Sequence, residues 1–335
     1  MESGRDAHVP RNRPGMEVDN ISFDSRLIDA LRDPAVRDLA WVIGSPGLPD
    51  AAFPAYAGRV VENAWCSAQL IACASWLAAL DMEPHPLHAF IAARPTRRLG
   101  HYFESLITFW LEHLPDMRII TANLQVQGTD RTLGEYDFLL CNAAGEICHW
   151  EAAVKFYLQA EPVAEQRAFV GPGGRDRLDL KLQHVFHHQL DLGNTPAGRA
   201  ALPQGRVLHK AQAFIKGYLF HAADHAKNIS IPGISAQHLS GWWVRYPVHN
   251  LPRLAADSHW VILPRLRWLA PVYLNDDVHV MAHDSICNTL DAHFATSDEA
   301  VQVAELQRNN KNEWREKARG FVVCHAWPHM NRNTP

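Results

Sequence analysis

The sequence predicts an α/β fold, and three observations predict it. A helical apolar stripe runs through residues 99–114, strand-like alternation follows at 119–127, and residues 133–158 read as a β-hairpin. A helix from about Arg175 to Leu192 and a strand at 212–220 then complete the order helix, strand, strand, strand, helix, strand.

Each element in that order has a local cause. Phe103, Leu106, Ile107, Trp110, Leu111 and Leu114 recur at helical spacing, and Pro115 closes the helix. Ile120, Ala122, Leu124 and Val126 alternate with polar residues. The hairpin turns at Asn142-Ala143-Ala144-Gly145. On its second arm Trp150, Ala152, Val154, Phe156 and Leu158 form one apolar face, while His149, Glu151, Ala153, Lys155 and Tyr157 share the other. A strand with one fully apolar face belongs in a core, which puts Glu151 and Lys155 at a core's edge. On the first arm Asp137 shares a face with Glu135 and Leu139. Gly171-Pro172-Gly173-Gly174 breaks the chain before the next helix. That helix has the stripe Leu178, Leu182, Val185 and Gln189, and the opposite face Arg177, Lys181, His184 and His188.

The flanks divide the chain into a tail at 1–20, a helical region at 21–95, the core at 96–222 and a strand-rich extension at 223–335. The tail is polar, carries charges of both signs and several prolines, and reads as disordered, without the apolar stretch of a signal peptide. Residues 24–44 suggest two short helices broken near Asp33-Pro34 and stopped by Gly44-Ser45-Pro46-Gly47, and another short helix falls around Pro86–Arg94. The uncharged run 63–80 approaches membrane-spanning length. Asn63, Ser67, Gln69 and Ser75 dilute it and no strongly basic flank orients it, so it reads as a buried core helix. GWWVRY (241–246), HWVILPRL (259–266) and FVVCHAW (321–327) look like strands of the extension.

The formal net charge of −4 offers no global basic field, which counts against a nucleic-acid partner unless a local basic groove exists. The six cysteines form no CxxC pair, so reduced thiols in a cytoplasmic protein are expected, although Cys141 and Cys148 could face each other across the hairpin. No membrane partner is expected.

The element order, with Gly134-Glu135-Tyr136-Asp137-Phe138-Leu139 and the later Glu151 and Lys155, resembles the PD-(D/E)XK nuclease superfamily, and locally its Holliday-junction-resolvase-like members. Gly100-His101-Tyr102-Phe103-Glu104 is similar to the first-helix motif of that group, which often carries a Glu. The stretches GHYFESL, EAAVKFYL, KGYLF and WVILPRLRWLAP also resemble a family of uncharacterised bacterial proteins catalogued only as a domain of unknown function. The nuclease resemblance implies a restriction-endonuclease-like core and a nuclease that hydrolyses nucleic-acid phosphodiesters, DNA before RNA, with Mg²⁺ or Mn²⁺. It implies Asp137, Glu151 and Glu104 as metal ligands, helped by the backbone carbonyl of Ala152, with Lys155 completing the catalytic set. One departure stands out: the superfamily's Glu-x-Lys spans two positions, whereas Glu151 and Lys155 are four apart. Parity is kept, but the amine lies one strand repeat further away. Either Lys155 reaches back past the small Ala153, or the amine comes from elsewhere, with Lys181 on the polar face of the next helix as the substitute; Lys181 and His184 are also the candidates for substrate binding.

The chemistry accounts for the residue types. Mg²⁺ prefers hard oxygen ligands and keeps several waters. Two neighbouring carboxylates repel unless a cation joins them. Plainer readings remain open. Asp137 can be a polar residue of a half-exposed hairpin, Glu151–Lys155 a surface ion pair of about 0–1 kcal/mol, and Glu104 and Lys181 solvated helix residues. His184 and His188 have helical zinc-binding spacing but no third-ligand pattern. Trp242, Trp243, Trp260 and Trp268 can stack bases or fill a core. At the level of function, the rivals are a nuclease-derived fold that binds nucleic acid or protein without catalysis, and a hydrolase of another phosphate ester.

Overall fold

The structure, a computed structural model, describes residues 25–203, 205–223, 230–247, 251, 252, 255 and 257–329, and the tail expected at 1–20 lies outside them. Helices α1 (Arg26–Ala30) and α2 (Pro34–Gly44) flank the Asp33-Pro34 step. Asp33 caps α2, its Oδ1 accepting the amides of Ala35 and Val36 at 3.0 and 3.1 Å, and Pro34 occupies the first turn, where its missing N–H costs nothing. The run expected as one buried helix is two, α3 (Asn63–Ala72) and α4 (Ala74–Met82), which meet at Cys73. They bury only one side. Cys66, Leu70, Leu77 and Leu80 face inward, while Ile71 and Met82 are exposed. An uncharged sequence with apolar residues on every side cannot say which side is covered. Helices α5 (His85–Ala92) and α6 (Leu99–Glu112) follow, the latter burying Phe103, Leu106, Ile107 and Trp110 completely.

The strands are β1 (Met117–Gln127), β2 (Thr132–Asn142), β3 (Ile147–Gln159), β4 (Phe169–Val170), β5 (Leu208–Ala222), β6 (Leu239–Arg245), β7 (His259–Ile262), β8 (Tyr273–Leu274), β9 (Val301–Arg308) and β10 (Trp314–Val323). They form one mixed sheet in the order β1-β2-β3-β5-β6-β10-β9-β7, with β4 beside β3 and β8 beside β10. The middle strands β3, β5, β6 and β10 run parallel, and antiparallel strands close both flanks. The strand-rich extension therefore continues the sheet of the preceding core. Helices α7 (Leu178–His184), α8 (Pro196–Ala201) and α9 (His283–Phe294) complete the fold, the last inside the segment read as strand-rich. The order helix, strand, strand, strand, helix, strand is present as α6, β1, β2, β3, α7 and β5, with the two-residue β4 added.

The two-faced reading of β3 fixes the layers. Trp150, Ala152, Phe156 and Leu158 pack with Phe214, Tyr218 and Phe220 of β5 against the N-terminal helices. Tyr157, with Ala213, Ile215 and Leu219 of β5, packs against Leu178, Leu182, Val185 and Phe186. The central sheet is thus covered on both faces, as a parallel sheet requires. β3 and β5 come so close that a Cβ at Gly217, φ +147°, would stand 1.7 Å from the Lys155 carbonyl oxygen.

The hairpin turns where expected. Asn142 Oδ1 accepts the amides of Ala144 and Glu146 at 3.0 and 2.9 Å, and Gly145 takes φ +80°. Cys141 pairs with Ile147, and Cys148 with Leu140, so the two thiols are not opposite, and all six cysteines are free. Among the described residues no helix is long and apolar enough to cross a membrane.

Candidate active site

The β2–β3 ladder runs from Cys141↔Ile147 to Phe138↔Trp150 and stops there. Asp137 takes the next position, where a side chain replaces the ladder: its Oδ2 accepts the Ala152 amide at 2.8 Å. The strict alternation expected along β2 is also interrupted here. Tyr136 and Leu139, of opposite parity, pack in the same cluster. Asp137 and Glu151 are therefore the first residues of the two strands beyond the last ladder pair.

Glu151 is 3% exposed. Its Oε1 lies 3.3 Å from Lys181 Nζ and its Oε2 3.4 Å from Gln189 Nε2. Lys181 comes from α7. Gln189 ends a π turn, Val185–Gln189, closed by the Leu190 amide bonding to Val185 O at 2.9 Å. The single helix expected over 175–192 is thus α7 followed by this wider turn, and the turn directs Gln189 toward Glu151 instead of leaving it in the apolar stripe.

Lys155 is not at Glu151. Its Nζ lies 2.6 Å from Asp176 Oδ2, which also accepts the Tyr157 hydroxyl at 3.1 Å. Four residues of extended β3 carry Lys155 past Glu151 to the segment entering α7. Lys181 is the amine that reaches Glu151.

Electrostatics tie the acids together. Burial is the largest cause that pushes the Asp137 carboxyl up to about 8. Glu151 and Glu104 add to it, while the Ala152 amide and Lys181 oppose it. Burial also raises Glu104 on α6, with Glu135 and Glu151 adding and His101 opposing. His184 is lowered by burial, then by Lys181 and His188, with Glu151 opposing, and its ring centroid lies 5.3 Å from that of His188. Elements α6, β2, β3 and α7 therefore bring Glu104, Asp137, Glu151, Lys181 and His184 into one neighbourhood. Among the described residues no group of three His, Cys, Asp or Glu side chains stands at metal-binding spacing. The donors that do gather are hard carboxylate oxygens, and two of them, on Asp137 and Glu104, are raised by burial and by neighbouring acids. That donor chemistry suits a hard divalent cation such as Mg²⁺ or Mn²⁺.

Residues 37–323 match a family described as Domain of unknown function (DUF1853). The chain belongs to this family. The match takes in every site residue from Glu104 to Gln189, so the constellation lies within the family's domain and not on an appendage. No curated protein matches the chain, and no solved structure does.

Two residues that contact the predicted site residues escaped the sequence reading, Gln189 at Glu151 and Asp176 at Lys155. Gln189 left one signal, a polar side chain in an otherwise apolar stripe. Asp176 left a weaker one, an acid directly after the glycine-rich break. The tryptophans considered for base stacking are core: Trp242, Trp243, Trp260 and Trp268 are all buried and offer no free ring face.

Proposed function

We propose that Asp137, Glu151 and Lys181 form the centre of a divalent-metal phosphodiesterase of PD-(D/E)XK type that acts on nucleic acid. The observation that carries this reading is the meeting of the buried Glu151 with the half-buried Asp137 beyond the end of the β2–β3 ladder, in each other's field, with one amine 3.3 Å from Glu151. The element order from α6 to β5 supports the same core.

Asp137 and Glu151 would hold Mg²⁺ or Mn²⁺, with the Ala152 carbonyl as a backbone ligand and Glu104 acting directly or through water. The cation supplies a bound water of lowered pKa and polarises the phosphoryl oxygen. Lys181 takes the part first assigned to Lys155: its ammonium orients the attacking water and offsets charge on the pentavalent transition state. Gln189 fixes the second oxygen of Glu151. His184, one turn after Lys181, faces the substrate phosphates.

The test is direct. The purified full chain should cut DNA or RNA with Mg²⁺ or Mn²⁺ and leave free nucleotides intact. Asp137→Ala and Glu151→Ala should each abolish cutting with the fold retained. Cutting that survives both substitutions eliminates the site.

A second reading, a non-catalytic module binding nucleic acid or a protein, has its own support. Lys155 is engaged by Asp176, and among the described residues no three potential ligands stand at metal spacing. Calorimetric titration separates the two: no divalent binding, together with nucleic-acid binding that EDTA does not disturb, favours the module.

A further inference from the structure

A cavity of about 600 Å³ lies away from the acids, between α2, β7 and the segment 270–274. Its volume falls in the range of small-molecule sites. The walls are mostly apolar, formed by Val261, Leu263, Val272, Leu274 and Met281 among others. The charged side chains lining it are Arg37, Asp38 and Arg267, a surplus of one positive charge.

The walls are braced by buried polar groups. Arg37 donates to Pro271 O at 2.9 Å as well as to the carbonyls of Ile28 and Leu31. Arg319, paired with Glu316, donates to the carbonyls of Trp268 and Ala270. Asp38 Oδ1 accepts the Ala270 amide at 3.0 Å and its Oδ2 the Tyr102 hydroxyl at 3.0 Å. These bonds hold residues 268–271 in place, so the chamber is preformed. They also use up both Arg37 and Asp38.

Arg267 is different. Its guanidinium makes no hydrogen bond among the described residues. It approaches only Asp38 Oδ2, at 3.7 Å, with its side chain 47% exposed. A planar fork of unspent donors at the rim of an apolar chamber matches a carboxylate attached to an apolar body.

We propose that this cavity binds a small amphipathic monocarboxylate, with its chain among Val261, Leu263 and Met281 and its carboxylate on Arg267. The single surplus charge favours a monoanion over a polyphosphate. A head group presented by an anionic membrane offers similar chemistry, but a preformed chamber of this volume, walled by the clamped residues Ala270 and Pro271, favours the free molecule.

The experiment uses the full chain, calorimetry, and two probes of equal chain length, octanoate and octanol. Octanoate should bind wild type, and Arg267→Ala should weaken it about tenfold or more. Octanol should bind more weakly than octanoate and be indifferent to the substitution. Because Arg267 also offsets the burial of Asp38, Arg267→Lys, which keeps the charge and loses the planar fork, is measured beside Arg267→Ala and should keep the wild-type melting temperature while still weakening octanoate binding. Equal octanoate affinity in wild type and Arg267→Ala, or no octanoate binding, overturns the proposal. Sedimentation with phosphatidylglycerol vesicles without binding of free octanoate overturns it too.

Discussion

Asp38 and Asp137 are both aspartates taken out of water, and in both burial is the largest cause raising the carboxyl. Their neighbours differ. Around Asp38 stand Arg267, the Ala270 amide, the Tyr102 hydroxyl and Arg319, every one favouring the charged form, and the rise stops at about 6. Around Asp137 stand Glu151 and Glu104, which disfavour it, against one amide and Lys181, and the rise reaches about 8. Burying an acid is ordinary when the structure completes its partners. Burying an acid among other acids leaves a deficit of positive charge, which Lys181 alone opposes among the charged groups acting on Asp137 in the described residues. Asp38 has its partners completed by the fold, whereas Asp137 is the acid assigned to the proposed site.

The strongest way to break that contrast is to remove each acid in turn. Asp137→Asn keeps the shape and the Ala152 bond but loses the charge. It should lower metal-dependent cleavage by about 10³-fold, about 4 kcal/mol of transition-state stabilisation, while leaving stability equal to wild type or higher. Asp38→Ala should do the reverse. It strips the acceptor from the Tyr102 hydroxyl and the Ala270 amide, both buried, and should cost about 2–4 kcal/mol in urea unfolding. If Asp38→Ala unfolds as wild type does and Asp137→Asn is the unstable protein, the two assignments are interchanged.

The two lysines give the next largest effect. Lys181→Ala should reduce kcat about 10²-fold, as expected for loss of a cation positioned on the transition-state charge, with KM changed little. Lys155→Ala, which breaks the pair with Asp176, should keep kcat within about threefold and cost no more than about 1 kcal/mol of stability, since that pair is partly solvated. A kcat loss confined to Lys155→Ala would restore the strand lysine as the working amine.

Much of the framework was legible because it follows from periodicity. The apolar stripe of α6, the alternation of β3 and the Asn142–Gly145 turn are local patterns, and the layers follow from β3 having two different faces. Asp137 and Glu151 were legible for the same reason, as acids at fixed places on adjacent strands. What escaped reading depends on departures from period. Gln189 reaches Glu151 because a π turn adds a residue to the helix, and no spacing rule anticipates that. Asp176 captures Lys155 from a loop, where no period exists. The Asp38 network joins residues more than 200 positions apart, Asp38 to Ala270, and only tertiary structure reveals it. The run at 63–80 misled because uniform apolarity carries no phase, so the break at Cys73 and the exposed side of α3 and α4 left no trace.

Titration sharpens the comparison on a smaller scale. An aspartate that ionises near 3.8 when unfolded and near 8 when folded keeps in the native state a proton that the unfolded chain has lost. Between those values the native state binds more protons, so stability falls as pH rises, and the fall ends once both forms are ionised. For Asp38 the same loss is complete near pH 6. The interval from 6 to 8 therefore belongs to Asp137 of the two. Urea unfolding of wild type relative to Asp137→Asn should decline across it, by no more than about 1.4 kcal/mol per pH unit. Saturating Mg²⁺ should flatten the decline, and a flat difference without Mg²⁺ would show that Asp137 is ionised in the free protein.

The smallest expected effect belongs to Gln189. Its amide meets Glu151 Oε2 at 3.4 Å, a long bond that orients a carboxylate already held by Lys181 on its other oxygen. Gln189→Leu should therefore leave stability within about 0.5 kcal/mol of wild type and reduce kcat only a few-fold, with the apparent Mg²⁺ affinity reduced in step. A positioning role predicts that Gln189→Glu is worse than Gln189→Leu, because a further acid beside Glu151 adds to the repulsion that already raises Asp137. If the glutamate variant cuts as well as the leucine one, repulsion among the acids is not what sets this site apart from Asp38.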